Sequence, residues 1–343
     1  MKNTKYYLTD KALTSLVTAI MGKQPVVAPV ANRSRFIFAE ISNADEVRLD
    51  YDTTILPPKK LFFPTKQDLL TFDSEGGKSC IDPKEQVLFG VHPHDVKAID
   101  MADTFYKDNH ADNNYLANRE ATKIIASTVQ NHYKNAFFGS VCTELEAKGH
   151  DALLTKVDGG YVLEVITDKG SALLEGSDLT KASDEQSQSA EAAKTAANDN
   201  CPEKLNNSSS EIAEKVRNSF KTDVWNNFSE DCFSCGTCNT VCPTCFCFDV
   251  QDNWNLDGTS GTRYRTWDAC LVCEFSEISV RGGSENFRTE KADRFRHRFM
   301  RKTSYLNDQL GGPACVGCGR CSGGCTANIA NPTTIINKIM EQA

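Results

Sequence analysis

Residues 232–242 read CFSCGTCNTVC and residues 315–325 read CVGCGRCSGGC, so one four-cysteine spacing occurs twice in the C-terminal third of the chain. In each stretch, two residues separate the first three cysteines from one another, and the fourth follows after three more. This is the cysteine run of bacterial-type [4Fe–4S] proteins. The first three cysteines can wrap a tight loop around one cubane. The spacing therefore predicts two cluster-binding loops.

The fourth cysteine of each run is expected to start a helix that leads away from its own loop, so we predict that it binds the other cluster. The predicted ligand sets are Cys232, Cys235, Cys238 and Cys325 for one cluster, and Cys315, Cys318, Cys321 and Cys242 for the other. Zinc is the main alternative. Zinc fingers, however, prefer two widely separated cysteine pairs to a continuous run of four.

The distribution of cysteines also predicts the compartment. The chain has 343 residues and 15 cysteines, and only Cys80, Cys142 and Cys201 precede residue 232. Secreted disulfide proteins are normally short and spread their cysteines along the fold. The N-terminal residues lack the apolar core of a signal peptide, so we expect metal binding in the reducing cytoplasm. No apolar run is long enough to span a bilayer. The formal net charge of −8 argues against general nucleic-acid binding.

The order of predicted elements indicates an α+β fold class. We predict an N-terminal α/β domain at residues 1–180, a polar linker at 181–210, and a dicluster domain at 211–343 with an insert at 243–314. The linker is rich in Ser, Ala, Asn and Gln, with almost nothing to bury, although part of it could be helical. The long insert favours a mainly helical [4Fe–4S] ferredoxin domain, of the α-helical ferredoxin type.

Local patterns predict individual elements. Apolar, β-branched runs predict strands at Arg35–Ala39, Gln86–Val91, Ala152–Val157 and Tyr161–Ile166, the last two joined as a hairpin by a Gly-Gly turn. Helical spacing predicts helices at Asp95–Tyr106, Asn113–Gln130, Glu290–Tyr305 and Thr333–Met340. Asp95 is the predicted N-cap of the first of these. A further amphipathic helix is expected to start near Glu211.

The insert carries four more cysteines in two close pairs, Cys245 with Cys247 and Cys270 with Cys273. They could hold a third iron–sulfur cluster or a zinc ion. Alternatively, they are reduced thiols packed beside the two predicted clusters, because free cysteine is among the most buried residue types. The sequence leaves both interpretations open.

Residues 281–302 contain eight Lys or Arg and three acidic residues. These cations could neutralise the anionic clusters, dock an acidic partner or form a solvated helix face. Upstream, His92 and His94 share a short segment with Asp95. A turn or helix cap is favoured there over a metal site.

The sequence contains no dinucleotide-binding or P-loop glycine motif and no evident nucleophile–base set. Two clusters without an organic cofactor can accept and donate electrons but have little means of transforming a substrate. We therefore expect a non-catalytic electron-transfer subunit whose electron source and sink lie on other subunits.

Several longer segments carry a family resemblance. CFSCGTCNTVCPTCFCFDVQD, RTWDAC, RFRHRFMRK and CVGCGRC together resemble the beta subunit of cytosolic sulfhydrogenases and the corresponding iron–sulfur subunit of anaerobic sulfite reductase. Upstream, PVVAPV, DYDTTILPPKKLFFP and FGVHPHDVKAID are similar to the N-terminal domain of the same group. HPHD departs from the family, where a cysteine often replaces His94.

The resemblance implies a hetero-oligomer in which this chain links a flavin-bearing, NAD(P)H-linked partner to a catalytic partner. That catalytic partner is a hydrogenase in one branch and a sulfite reductase in the other. The resemblance also favours Cys245, Cys247 and Cys270 over Cys273 as ligands of a possible third iron–sulfur cluster. Two other functions are carried as alternatives: an enzyme whose third cluster acts on a sulfur substrate, and a binding module with structural clusters.

Overall fold

The computed structural model describes residues 4–108, 110–141 and 148–342. The strands before residue 200 are β1 (Lys5–Leu8), β2 (Val26–Asn32), β3 (Arg35–Glu40), β4 (Lys66–Asp73), β5 (Gly76–Ser79), β6 (Gln86–Val91), β7 (Thr122–Ser127), β8 (Ala152–Val157), β9 (Gly160–Val165) and β10 (Thr180–Lys181). The helices of this part are α1 (Asp10–Met21), α2 (Pro93–Lys107), α3 (Asn113–Ala121), α4 (Asp168–Leu173) and α5 (Asp184–Asp199).

Shorter elements follow residue 200. The helices are α6 (Ser209–Asn218), α7 (Val224–Ser229), α8 (Thr237–Thr240), α9 (Lys291–Met300), α10 (Asn307–Leu310), α11 (Arg320–Gly324) and α12 (Pro332–Gln342). The strands are β11 (Phe248–Trp254), β12 (Gly261–Trp267), β13 (Glu277–Val280) and β14 (Gly283–Asn286). A π-helical turn, Arg301–Tyr305, continues directly from α9.

The first part of the chain is built on one mixed sheet with strand order β10-β1-β9-β8-β7-β6-β2-β3. Its central strands β2, β6, β7 and β8 are parallel, and the outer pairs are antiparallel. From Val87 to Val91, β6 is wholly buried, as expected where helices cover both faces of a parallel sheet. One core lies between the sheet and α1, and a second lies on the side of α2 and α3. The chain is thus a mixed α/β protein, which confirms the coarse fold class.

A second sheet joins the predicted insert to the N-terminal part. Its order is β11-β12-β4-β5, and β12 pairs with β4 antiparallel from Gly261 to Thr266. A separate hairpin, β13-β14, also lies in the insert. The mainly helical ferredoxin domain is therefore not confirmed, because the insert contributes two hairpins as well as α9. The period-two alternation in FDVQDNW and GTRYRTW is the strand signal in these segments.

The local predictions meet different outcomes. The strand at Gln86–Val91 and the β8-β9 hairpin are confirmed, as are the helices near 291–305 and 333–340. The predicted helix Asn113–Gln130 is wrong after Ala121, because the run TKIIAS forms β7 between two buried strands. Asp95 is not the N-cap of α2: His92 holds that position, and Asp95 lies in the first turn.

The segment predicted as a polar linker contains α5, which packs against the large sheet. A capping box at Ser183 starts this helix, with Gln186 closing the reciprocal hydrogen bond. Ala190 is buried against Val157 and Val162. The buried face of α5 consists of alanines, whose small apolar area is not evident from the overall polar composition of the segment. The domain boundaries themselves stay a prediction.

The packing of α5 can be tested with one substitution at two positions. Ala190→Glu places a carboxylate in a buried contact, so we expect the free energy of unfolding to fall by about 2 kcal/mol. Ala192→Glu lies on the exposed side of the same helix and should change it by less than about 0.5 kcal/mol. Anaerobic urea unfolding followed by circular dichroism measures both. Equal effects would mean that α5 does not dock on the sheet.

Candidate iron–sulfur centre

The two cysteine loops share an unusual backbone. Ser234 and Gly317, which precede the second cysteine of each loop, have φ angles of 54° and 66°. Gly236 and Gly319, which follow it, have φ angles of 71° and 73°. Left-handed residues on both sides turn the chain back on itself, and glycine adopts them without strain. A Cβ on Gly317 would lie 2.5 Å from the backbone nitrogen of Phe138, so this loop also needs glycine for close packing.

The structure brings the eight motif cysteines together in two cavities. The loop-one cavity is lined by Cys232, Cys235, Cys238 and Cys325. The loop-two cavity is lined by Cys315, Cys318, Cys321 and Cys242. Each cavity thus receives three sulfurs from one motif and the fourth from the other. This grouping equals the two predicted ligand sets.

The prediction that a helix starts at the fourth cysteine is wrong, because the short helices α8 and α11 lie before that cysteine and end beside it. These two helices produce the exchange. Each begins beside the second cysteine of its loop and ends next to the fourth, and the two helices pack against each other. Because each helix runs out of its own loop toward the other one, Cys242 reaches the loop-two cavity and Cys325 the loop-one cavity. Between them, Cys238 and Cys321 belong to one buried apolar cluster.

The two cavities differ in their access to solvent. Cys235 is exposed, and Phe233 beside it keeps 69% of its surface accessible. In the loop-two cavity, Cys242, Cys318 and Cys321 are all buried. The loop-one cavity therefore lies at the protein surface, and the loop-two cavity lies in the interior.

Positive charge is buried next to these thiols. Arg298 is 2% exposed; its Nη2 donates to the carbonyl of Cys238 at 3.4 Å, while Nε and Nη1 find no hydrogen-bond partner among the described residues. Lys302 is buried and donates to the carbonyl and hydroxyl oxygens of Thr244 at 3.0 and 2.7 Å. Neither cation forms an ion pair with a carboxylate in the part of the chain that the structure describes. Such burial is costly unless an anion is close.

These features fit a [4Fe–4S] cluster in each cavity. A cubane bound by four thiolates carries net negative charge, which would balance Arg298 and Lys302 and give the orphaned guanidinium nitrogens an acceptor. Within the described ranges, no three His, Cys, Asp or Glu side chains are placed to hold a single metal ion. The four thiolates of a cubane bind four different iron atoms and do not converge on one point.

Burial also controls the ionisation of the thiols. It raises the pKa of both Cys238 and Cys315 to about 12. For Lys302, burial lowers the pKa, but the neighbouring Cys242 and Cys245 sulfurs raise it more, so its pKa is above the usual value and its charge is retained. Iron binds the thiolate form. Cluster insertion must therefore release protons from these thiols.

The insert cysteines form a further group around Asn239. The Nδ2 of this buried side chain donates to the sulfur of Cys270 at 3.1 Å and to that of Cys245 at 3.6 Å. A hydrogen bond from the Cys247 thiol lowers the pKa of Cys270 to about 6. Cys273 has different neighbours, and its sulfur accepts from Asn286 and Arg294 at 3.6 Å. Three insert cysteines thus share one neighbourhood, and the fourth faces elsewhere.

The basic segment divides between interior and surface. Arg294, Arg298 and Lys302 are buried. Arg294 ties loop one to the segment that precedes β13, donating to Ser234 Oγ at 3.1 Å and to the carbonyl of Leu271 at 3.0 Å. The remaining Lys and Arg of this segment are exposed or only partly buried. Some cations of this segment therefore lie beside the cysteine sulfurs, and the others form a solvated helix face.

Side chains of the N-terminal part also reach the cysteine loops, and the sequence analysis missed them. Arg320, inside the second motif, forms a bidentate pair with Asp95 at 2.6 Å for both bonds, and both side chains are buried. Arg320 also donates to Thr54. An arginine between two motif cysteines was the available signal, but its partner lies 225 residues away. Lys59 contacts the Cys242–Cys245 segment from the same side.

Comparison with known proteins agrees with this geometry. A family profile described as a 4Fe-4S dicluster domain matches residues 231–329. The sulfhydrogenase 2 subunit beta of Pyrococcus furiosus is 30% identical to this chain over 327 residues, which cover 92% of each protein. The chain belongs to the sulfhydrogenase beta-subunit family. No solved structure matches it significantly.

Membership of the sulfhydrogenase beta-subunit family confirms the resemblance and the interpretation as an iron–sulfur protein. The matched dicluster region contains both cysteine motifs and the whole predicted insert. The identity extends well beyond it into the mixed sheet, so the two parts of the chain occur together in the relative as well. In the described residues, no helix combines the length and apolarity that crossing a membrane requires.

Proposed function

We propose that this chain is a non-catalytic electron-transfer subunit that relays single electrons between two partner proteins. One partner is a flavin-bearing, NAD(P)H-linked subunit, and the other is a catalytic subunit of the hydrogenase type. The observation that carries the proposal is the pairing of two four-cysteine cavities around a shared buried contact. The similarity to the beta subunit of a sulfhydrogenase supports a hydrogenase as the catalytic partner.

We further propose that each cavity holds one [4Fe–4S] cluster through crossed ligation. Cys232, Cys235, Cys238 and Cys325 would hold the first, and Cys315, Cys318, Cys321 and Cys242 the second. When bound, the clusters supply one-electron redox chemistry over a potential range of about −700 to +450 mV. The protein contributes the thiols, the shielding from water and the buried cations.

The surface position of loop one supports a docking site for a redox partner at this loop. Cys235 and Phe233 are open to solvent, whereas Cys242, Cys318 and Cys321 of the loop-two cavity are buried and Cys315 is only partly buried. A redox partner must approach closely to exchange an electron, and only the loop-one cavity offers that approach in the described chain. We infer that one of the two partners docks over Phe233.

We also propose a third iron–sulfur cluster, bound by cysteines of the insert. Cys245, Cys247 and Cys270 are its proposed ligands, because Asn239 donates to Cys245 and Cys270, and Cys247 is hydrogen-bonded to Cys270. Arg298 and Lys302 lie beside this group as well as beside loop two. The same positive charge could therefore balance an additional anionic centre.

Purification of the tagged full-length chain from its native host under anaerobic conditions tests the function. We expect a flavin-containing subunit and a nickel-containing subunit to co-purify with it, because a subunit that relays electrons needs a separate source and sink. A partner with sirohaem in place of nickel would move the assignment to the sulfite reductase branch. Recovery without any redox partner would contradict the proposal.

Crossed ligation gives a prediction for Cys242→Ser. This variant should lose the same electron paramagnetic resonance signal as Cys318→Ser and keep the signal that Cys235→Ser removes, because Cys242 lines the loop-two cavity. The spectra are compared after anaerobic reduction with dithionite. Cys201→Ser is the matched control, since Cys201 is buried but lines neither cavity. If Cys242→Ser behaves like Cys235→Ser, ligation is not crossed.

Iron content separates two clusters from three. Two cubanes require about eight iron atoms per chain, and a third [4Fe–4S] cluster would raise this to about twelve. With the third cluster, Cys270→Ser should lower the iron content by about four atoms, whereas Cys273→Ser should leave it unchanged. Iron and acid-labile sulfide are assayed on anaerobically purified protein. About eight atoms in the unmodified chain would remove the third cluster from the proposal.

A further inference from the structure

Lys59 extends from the N-terminal part of the chain to the segment that follows loop one. It lies in the short 3-10 turn Pro58–Leu61. Its Nζ donates to the carbonyl oxygens of Cys242 at 2.9 Å and of Cys245 at 2.8 Å. The same nitrogen lies 4.2 Å from the centroid of the Trp267 ring. All three neighbours suit an ammonium group, which has three donors and no acceptor.

No carboxylate balances this charge. Among the described residues, Lys59 forms no ion pair with Asp or Glu, and the same is true of Lys302, which donates to Thr244. Arg320 is different, because Asp95 pairs with it at 2.6 Å and cancels its charge locally. Burial lowers the pKa of Lys59, and the neighbouring Cys245 and Cys242 sulfurs oppose that shift. In its ammonium form, Lys59 presents an uncompensated positive charge to the backbone of Cys242, a proposed cluster ligand, and of Cys245.

A fixed positive charge acts differently on the two redox states of a nearby centre. Reduction adds one negative charge, so a neighbouring ammonium stabilises the reduced form more than the oxidised form. The effect is large where water is excluded, and the loop-two cavity is enclosed by buried side chains. Removing the charge should therefore make the centre harder to reduce.

We propose that Lys59 sets the reduction potential of the cluster held in the loop-two cavity by placing a positive charge beside Cys242. This inference rests on the proposed function, which supplies that cluster. It assigns a task to the N-terminal part, which contributes no motif cysteine but provides a charge that tunes the relay. The turn at Pro58 and the cation–π contact with Trp267 hold the ammonium in place.

The test is an anaerobic redox titration of the full-length chain, followed by electron paramagnetic resonance. Lys59→Met keeps the side-chain length and removes the charge. We expect the loop-two midpoint to become more negative by at least about 59 mV, which corresponds to about a tenfold shift in the one-electron equilibrium. The loop-one midpoint should move much less and serves as an internal reference.

Two control variants distinguish charge from geometry. Lys60 is the next residue, is also partly buried, and donates to a backbone carbonyl, that of Phe38 at 2.7 Å, but contacts no cysteine. Lys60→Met should leave both midpoints unchanged. Lys59→Arg keeps the charge and should restore most of the loop-two potential. If Lys59→Met does not fold, Lys59→Gln takes its place.

Three results would overturn the inference: an unchanged loop-two midpoint in Lys59→Met, equal shifts of both midpoints, or a Lys59→Arg midpoint as negative as that of Lys59→Met. In each of these cases the unmodified chain still shows two reducible clusters, so the proposed relay survives. Absence of reducible clusters in the unmodified chain is a different result. It would overturn the proposed function, and the inference with it.

Discussion

Charge balance around the buried thiols is the constraint on which the cysteine-rich part depends. Arg298 and Lys302 are enclosed without a carboxylate partner in the described chain, and burial raises the pKa of the nearby Cys238 and Cys315 thiols. An unpaired buried charge costs several kcal/mol, so such an arrangement is stable only with a compensating anion. An iron–sulfur cluster bound by thiolates is an anion of the required size and chemistry. The two cavities and the buried cations are therefore complementary parts of one electrostatic arrangement.

This constraint gives the long insert a structural role. Its helix α9 and the π-helical turn that follows deliver Arg294, Arg298 and Lys302 to the interior, between and beside the two loops. In the same region, Phe295 and Phe299 pack against Trp225 and α12. The helix thus combines an apolar face that anchors it with cations that face the sulfurs.

The N-terminal part is coupled to the cysteine loops by polar contacts that are shielded from water. The Arg320–Asp95 pair joins the second loop to the start of α2, and Lys59 joins the loop-one exit to the turn at Pro58. The pairing of β4 with β12 adds a continuous sheet across the same boundary. Since breaking a buried ion pair leaves an uncompensated charge, we expect the two parts to depend on each other for stability. This coupling agrees with the similarity to the sulfhydrogenase beta subunit along nearly the whole chain.

The sequence alone determined the features that depend on short-range spacing. The two cysteine runs predicted which four cysteines line each cavity, since three cysteines at two-residue intervals form one loop and the fourth leaves it. It also predicted β6, the β8-β9 hairpin and α12, whose patterns are local. It failed at TKIIAS, where burial between neighbouring strands overrides a helix-compatible pattern. At α5 it allowed a helix but missed the burial of Ala190 and Ala197.

Only the tertiary structure decided what stands beside the thiols. Asp95 meets Arg320 across 225 residues of chain, and Lys59 meets Cys242 across 183. No periodicity or motif encodes such pairs, because they arise when a sheet, its covering helices and the cysteine loops pack together. Charge in the interior is governed by distance and by exclusion of water, and neither quantity can be read from spacing along the chain. The identity of the motif cysteines can thus be read from a short stretch of sequence, whereas the charges that surround them are known only from the folded chain.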